Sequence, residues 1–274
     1  MLAALLVLSG AKAWFDTMRT PVVEQTRISL EGLTKGTEPL NIVLISDIHV
    51  AGPDMPPSRL VQIVEQVNAL NPDLVLIAGD LVSEKRTATH IYSAEEVVAP
   101  LGQLRAPYGV VVVPGNHDHW FGLEQISEEL RKNGITLLAN DAAIFGPLAI
   151  GGLDDDYTGH ADITKTMSAL DRLEGPRLIL THSPDVVPDL PDSIDLVLAG
   201  HTHCGQIAYP WGGSPATLSR YGQRFACGQI QEGNRAIIVG AGLGTSLLPM
   251  RLFTRPTIWQ IELRPPEREA PAGA

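Results

Sequence analysis

The chain has few cysteines, no basic cluster and no hydrophobic run of membrane-spanning length. Cys204 and Cys227 are too few for a disulfide framework; they could pair in an oxidising compartment, which the sequence leaves open. The net charge of -11 and the lack of Lys/Arg-rich runs argue against a broad nucleic-acid-binding patch. What remains is an ordinary globular composition, with 44% hydrophobic and 19% charged residues. A chain of 274 residues can form one large α/β domain or two small ones.

The longest apolar run covers residues 1–15, which is short for a membrane span. Ala11 and Ala13 flank Lys12 in the small-x-small pattern of a signal-peptidase site, although no basic residue precedes the run. We therefore predict that residues 1–25 are a signal or membrane-anchor-like segment, with a buried N-terminal helix as the alternative. This interpretation favours export or membrane association over a cytoplasmic location.

Buried strands alternate with amphipathic helices in the first half of the chain. The patterns predict strands at 26–33, 41–46, 73–80 and 108–113, and helices at 58–70 and 93–104. Ser58 is the predicted N-cap of the first helix, and Ser93 with Glu96 forms a capping box at the second. The alternation predicts a parallel sheet covered by helices, with ligands bound beyond the carboxyl ends of the strands.

The second half of the chain shows shorter elements. A helix is predicted at 123–132 and another near 162–173, with strands near 136–138, 148–151, 177–181 and 194–199. The Gly-rich part from 206 to 263, with strands at 235–239 and 257–263, is predicted to complete a second sheet. We place one domain at 26–264 and a flexible tail at 265–274.

Polar side chains follow the predicted buried strands, at the point where each strand ends. Residues two apart in a strand point to the same side, so Asp47 and His49 are expected to converge. Five of the eight histidines lie at such strand ends, beside Asp47, Asp80 and Asn116; they are His49, His117, His182, His201 and His203. Imidazole and carboxylate together suit Mn, Fe or Zn, which predicts a metal site at this edge.

These residues stand in five motifs whose order and spacing resemble those of the calcineurin-like metallophosphoesterases. The motifs are Asp47-x-His49, Gly79-Asp80, Gly115-Asn116-His117-Asp118, His182 and Gly200-His201-x-His203, within residues 41–263. The segments 200–206 and 242–251 resemble the bacterial membrane-associated branch, which includes phosphodiesterases and UDP-2,3-diacylglucosamine pyrophosphatase-like enzymes. Where that branch often has Pro-Glu, this chain has Pro256-Thr257. Neither residue is an expected metal ligand, so the difference affects at most the substrate preference. The resemblance implies an α/β fold, a four-layer α/β/β/α sandwich of two mixed sheets with the metal site at the strand carboxyl ends.

The resemblance also implies two divalent cations, with Mn, Fe or Zn expected. One cation would be held by Asp47, His49 and His203, the other by Asn116, His182 and His201, and Asp80 would bridge them. A water shared by the cations would become hydroxide and attack phosphorus in line. His117 would stabilise the phosphoryl oxygens and protonate the leaving alkoxide.

The expected function is therefore hydrolysis of a phosphodiester or pyrophosphate bond in a phosphorylated small molecule or a lipid-linked substrate. The alternative is a non-catalytic scaffold of the same fold that binds protein partners. Such chains usually lose ligands or the catalytic histidine, and this chain has the full set.

Several neighbouring residues have open roles at this stage. Asp118 could orient His117 or be an exposed turn carboxylate. His119 is expected at the surface. The three consecutive aspartates at 154–156 are expected to lie in a solvated loop or lid rather than to form a metal site. Cys204 is expected to pack away from the metals. A substrate phosphate could be bound by one of four arginines, Arg251, Arg220, Arg224 or Arg255, among which the sequence does not choose.

Overall fold

The computed structural model describes residues 2–34 and 38–266, whose strands form two six-stranded sheets. The first sheet contains β1 (Val22–Ser29), β2 (Leu40–Ile45), β3 (Leu74–Ala78), β4 (Val110–Val113), β5 (Thr136–Leu137) and β12 (Thr257–Arg264). Its order is β1-β12-β2-β3-β4-β5, and β2 to β5 run parallel. β12 is parallel to β1 and antiparallel to β2, so the prediction that residues 257–263 belong to the second sheet is wrong.

The second sheet has a parallel centre and antiparallel edges. It contains β6 (Asp141–Phe145), β7 (Leu148–Gly152), β8 (Arg177–Leu180), β9 (Leu196–Ala199), β10 (Gly228–Glu232) and β11 (Arg235–Val239). The order is β10-β11-β9-β8-β7-β6, with β6 and β10 antiparallel to their neighbours. The carboxyl ends of the parallel strands in both sheets therefore form edges that loops can share.

The helices are α1 (Leu2–Met18), α2 (Pro57–Ala69), α3 (Ala94–Leu101), α4 (Asn116–Phe121), α5 (Leu123–Lys132) and α6 (Ile163–Leu170). Short 3-10 helices cover Pro184–Asp189, His203–Gly205 and Gly222–Phe225. The capping box of Ser93 and Glu96 is present at α3. Ser58 is not a cap: Pro56 is the N-cap of α2 and Pro57 its first residue, a position that suits proline because its amide has no hydrogen to leave unpaired.

Alternation along the strands separates the layers. Val43 and Ile45 pack with α2, α3 and α5, whereas Ile42 and Leu44 face the second sheet. On the far side, Ile179 and Val197 pack with α6 and the 3-10 helix Pro184–Asp189. The predicted four-layer α/β/β/α sandwich of two mixed sheets is confirmed.

The C-terminal half of α1 packs on this sandwich. Ala13 and Thr17 are buried, and the Arg59 guanidinium donates hydrogen bonds to the carbonyls of Thr17 (2.7 Å) and Asp54 (2.6 Å). β1 begins at Val22, inside the segment predicted to be signal or anchor-like. In the part of the chain that the structure describes, no helix has both the length and the apolar composition needed to cross a membrane. Residues 267–274, most of the predicted tail, lie outside the described residues.

Candidate metal centre

The predicted ligands meet beyond the carboxyl ends of β2, β3, β4, β8 and β9, with Asp80 in the middle. The Oδ2 atom of Asp80 lies 3.4 Å from Nε2 of His49 and 3.3 Å from Nε2 of His182. All three side chains are buried. Asp80 thus stands between two groups of nitrogen and oxygen atoms, and each group contains residues from the strand ends of both sheets.

The first group consists of Asp47, His49 and His203. Nε2 of His203 lies 3.0 Å from Nε2 of His49 and 3.5 Å from Oδ1 of Asp47. One ligand atom from each of the three residues lies within 4.8 Å of the others. This is a compact set of two imidazoles and one carboxylate.

The second group consists of Asn116, His182 and His201. Nε2 of His182 lies 3.2 Å from Oδ1 of Asn116 and 3.1 Å from Nδ1 of His201. On the other side of its ring, Nδ1 of His182 donates a hydrogen bond to the Ala78 carbonyl at 2.8 Å. Because a carbonyl can only accept, this bond selects the tautomer of neutral His182 whose Nε2 lone pair faces the site.

The electrostatics of the site suit a divalent cation. Burial lowers the pKa of His49 and His203 well below the ordinary value, and burial with the His182 charge lowers that of His201 to about 4. Neutral imidazole is the form that ligates metals. Burial lowers the pKa of His182, but the charge of Asp80 outweighs burial and raises this pKa well above the ordinary value. A cation bound beside Asp80 would replace the proton on His182. The donor set therefore fits divalent metal ions.

Backbone conformation, rather than strand alternation, turns the ligands towards one another. β2 ends at Ile45, and Asp47 (φ 48°) and His49 (φ 50°) lie beyond it in the left-handed region. Asp80 (φ 55°), His201 (φ 70°) and His203 (φ 51°) share that conformation. Such residues cost about 1–3 kcal/mol each and cluster at functional sites, where the surrounding contacts hold them.

His117 borders the site: one of its ring nitrogens lies within 4.8 Å of potential ligand atoms of His49 and Asp80. Its backbone N–H donates to Oδ1 of Asp80 at 2.8 Å, and its ring Nδ1 lies 2.9 Å from Oε2 of Glu84. Burial would lower the pKa of His117, but the hydrogen bond and charge of Glu84 and the charge of Asp80 raise it. Glu84 was missed in the sequence because it belongs to no motif there.

Asp118 has neither of the roles predicted for it. It is buried, and its carboxylate accepts hydrogen bonds from the backbone N–H groups of Asp80 (2.9 Å), Leu81 (2.8 Å) and Gly115 (3.0 Å). Burial and the nearby charge of Asp80 raise its pKa to about 7. Asp118 therefore joins the loop after β3 to the loop after β4. Gly115 must be glycine here, since a Cβ would overlap Asp80.

The three aspartates at 154–156 each have a different partner. Asp154 lies 2.6 Å from Nε2 of His119, which is half-buried rather than at the surface. Asp155 is fully buried, so a solvated loop is wrong for this residue, and its Oδ2 accepts from the Thr158 N–H at 2.7 Å. Asp156 pairs with Arg220 at 2.9 Å. Within the described residues, the close groups of potential metal ligands all lie in the site around Asp80.

Arg251 and Cys204 support the loop that contains His203. Arg251 is fully buried; its Nη2 donates to the Ala241 carbonyl at 2.7 Å and lies 3.3 Å from Nδ1 of His203. It is closed to substrate, which excludes it from the four arginines that the sequence left as candidates for binding a phosphate. Cys204 is bonded to Cys227, which answers the question that the sequence left open.

The histidine, aspartate and asparagine side chains clustered at the strand ends are donor types found at the metal sites of hydrolases. The model of the calcineurin-like phosphoesterase family matches residues 40–205, and the chain belongs to this family. Membership makes it a phosphoesterase-type hydrolase with a site for divalent metal.

Named relatives extend the similarity to nearly the whole chain. The metallophosphoesterase YkuE of Bacillus subtilis is 30% identical over 96% of this chain and 93% of its own. A transmembrane protein with a metallophosphoesterase domain from Danio rerio is 34% identical, over 91% of this chain and 59% of its own length. An uncharacterized metallophosphoesterase of Helicobacter pylori is 32% identical over 93% of this chain and 67% of its own. The chain thus spans about two thirds or less of the length of the Danio rerio and Helicobacter pylori relatives.

Proposed function

We propose that this protein hydrolyses a phosphodiester or pyrophosphate bond with two divalent cations, of which Mn, Fe and Zn suit the mixed imidazole and carboxylate donors. The observation that carries the proposal is the position of Asp80. Its Oδ2 atom is within 3.4 Å of His49 from one group of ligands and of His182 from the other. A single carboxylate placed in this way can be shared by two cations about 3.5–4 Å apart, the usual spacing in two-metal hydrolases.

In this proposal each of the two groups of ligands binds one cation. Asp47, His49 and His203 would hold one cation, Asn116, His182 and His201 the other, and Asp80 would contact both. Bound cations would polarise the phosphoryl oxygens and make a water molecule acidic enough to be the nucleophile at neutral pH.

His117 is proposed to donate the proton that the leaving oxygen needs. Glu84 accepts from Nδ1, so Nε2 is the ring atom available to a substrate. The raised pKa of His117 favours the protonated imidazole, which is the form that a general acid requires. Its backbone bond to Asp80 holds the ring at the boundary between the two groups of ligands.

An apolar cavity beside the site supports a substrate with an apolar part, such as a lipid-linked phosphate. The cavity measures about 190 Å³ and lies next to His203, with Leu218, Leu247 and Leu248 in its wall. Exposed apolar side chains on α1, Leu8 and Phe15 among them, support the further proposal of membrane association. The name of the Danio rerio relative, a transmembrane protein, points the same way.

Hydrolysis of bis(p-nitrophenyl) phosphate tests the proposal. Chelator-stripped protein is expected to be inactive and to recover activity with Mn²⁺ as about two equivalents bind. The monoester p-nitrophenyl phosphate is the matched control for the diester. Cleavage of the monoester alone would change the substrate class and keep the site, whereas protein that binds no metal would favour the non-catalytic scaffold.

A further inference from the structure

Two exposed aromatic side chains close the side of the site between His117 and His201. Trp120 packs on His117 with ring centroids 4.9 Å apart, and Tyr157 packs on His201 at 5.0 Å. The two rings meet each other at 6.2 Å with planes 77° apart. They are 53% and 54% exposed, although each touches a buried imidazole of the site. We call this pair the aromatic wall.

The aromatic wall is held in place from two parts of the chain. Trp120 is on α4, one turn after His117. Tyr157 is in the loop after β7, between Asp156, which pairs with Arg220 at 2.9 Å, and Thr158, whose N–H and hydroxyl both bond to the buried Asp155. Because both neighbours of Tyr157 are tied down, its ring is a preformed surface rather than a free loop tip.

The position of the aromatic wall determines what it can contact. A phosphoryl group that reaches both His117 and the ligands around His201 has its substituent beside these rings. Two aromatic planes near a right angle form a corner, in which a flat ring can stack on one face and meet the other ring edge-on. Aliphatic groups have a different surface, the leucine-lined cavity next to His203.

We propose that Trp120 and Tyr157 bind a planar aromatic substituent of the phosphorylated substrate and so determine specificity. This inference rests on the proposed phosphoesterase function and adds the chemical class of the substrate. Aromatic stacking of this kind is worth roughly tenfold in affinity per ring, a value that falls within the range known for bases on aromatic side chains.

Calorimetric titration with three phosphonates tests the inference on Mn²⁺-loaded full-length protein, since their C–P bonds resist hydrolysis. Phenylphosphonate is planar, cyclohexylphosphonate has similar bulk without a flat ring, and methylphosphonate probes the metal site alone. We expect roughly tenfold tighter binding of the phenyl than of the cyclohexyl compound. Trp120→Leu and Tyr157→Leu should each reduce that preference, with methylphosphonate binding by the same variant as the reference for the metal site. Trp211→Leu, which removes an exposed tryptophan outside the aromatic wall, is the control and should keep the preference.

The outcomes separate this inference from the proposed function. Equal binding of the phenyl and cyclohexyl compounds, or equal weakening of all three ligands in Trp120→Leu, would overturn the aromatic wall as a specificity site. Melting temperatures of the variants show whether equal weakening comes from unfolding. If it does, Trp120→Phe, which keeps an aromatic ring, should retain the preference for phenylphosphonate over cyclohexylphosphonate. Failure of methylphosphonate to bind the metal-loaded wild type would overturn the phosphoesterase proposal, and this inference with it.

Discussion

His117 and Glu84 form a pair in which the carboxylate orients the imidazole. Oε2 of Glu84 lies 2.9 Å from Nδ1 of His117, and a carboxylate can only accept, so Nδ1 is the donor. The ring is also packed on two sides, by His49 at 4.7 Å and by Trp120 at 4.9 Å. The orientation of His117 therefore comes from Glu84 and the adjacent rings, whereas the Asp118 carboxylate bonds to backbone N–H groups.

Glu84→Gln is expected to move the alkaline limb of activity to lower pH. A general acid must be protonated, so activity falls as pH rises through the pKa of His117. Glu84 raises that pKa by its hydrogen bond and its charge, and glutamine removes the charge. The pH profile of kcat is the measurement, with Glu95→Gln, an exposed change on α3, as the control. An unchanged alkaline limb would mean that Glu84 does not act through His117.

His117→Ala should retain both cations and lower kcat by about 10²–10⁴-fold, the usual contribution of a general acid. Its ring is not among the proposed ligands, and the backbone bond to Asp80 does not need the side chain. Metal content by elemental analysis and kcat on the diester are measured together. His119→Ala, which removes a histidine paired with Asp154, is the matched control. Wild-type kcat in His117→Ala would remove the catalytic role.

Asp80→Ala is expected to abolish binding of both cations, because this carboxylate lies within 3.4 Å of a histidine from each group of ligands. The variant also loses the acceptor for the His117 N–H. Equilibrium titration with Mn²⁺ gives the number of bound ions, and circular dichroism checks the fold. Asp80→Asn, which can still accept that hydrogen bond, separates the loss of charge from the loss of structure. Retention of two metal equivalents by Asp80→Ala would contradict the bridging role.

Asp118→Ala should destabilise the domain, because the backbone N–H groups of Asp80, Leu81 and Gly115 lose their acceptor. A buried donor left unpaired costs about 1–3 kcal/mol, so the free energy of unfolding should fall by at least that amount. Urea unfolding measures it. Asp118→Asn retains one acceptor oxygen, so its free energy of unfolding should lie between those of the wild type and of Asp118→Ala. A stability equal to wild type would show that water replaces the carboxylate.

Removal of the disulfide, by Cys204→Ser with Cys227→Ser, is expected to lower the free energy of unfolding by about 2–4 kcal/mol. The bond closes a segment with a sequence separation of 23 residues and ties down the neighbour of His203. Cation affinity should therefore fall as well. A reducing agent should destabilise the wild type and leave the double variant unchanged. Equal responses of the two proteins to the reductant would contradict this role.

Local sequence patterns were sufficient for the elements that build the sheets. The strands β2, β3 and β4 are short runs of buried aliphatic residues, and α5 matches its predicted bounds, Leu123–Lys132. Such patterns depend only on the alternation or helical spacing of neighbouring residues. The same locality explains why a strand followed by Asp-x-His or Asn-His predicted residues that meet at one edge.

Contacts between distant residues were beyond those patterns. β12 lies between β1 and β2 in the first sheet. This position was not predicted, because the residues of a strand do not reveal which strands it will pair with. Glu84 reaches His117 across 33 positions, and Asp118 reaches Asp80 across 38. The way in which Asp47 and His49 converge also differs from the prediction, because both residues have left-handed backbone conformations rather than the alternation of a strand.

The sequence by itself determined the type of fold, the chemical identity of the proposed ligands and their order along the chain. Only the tertiary structure decided which side chains support them: Glu84 beside His117, Arg251 beneath His203, and Cys227 bonded to Cys204. The physical reason is that ligand types follow from local composition at strand ends, whereas supporting contacts exist only after distant loops have packed together. The same packing places Trp120 and Tyr157 side by side, although 37 positions separate them in the chain.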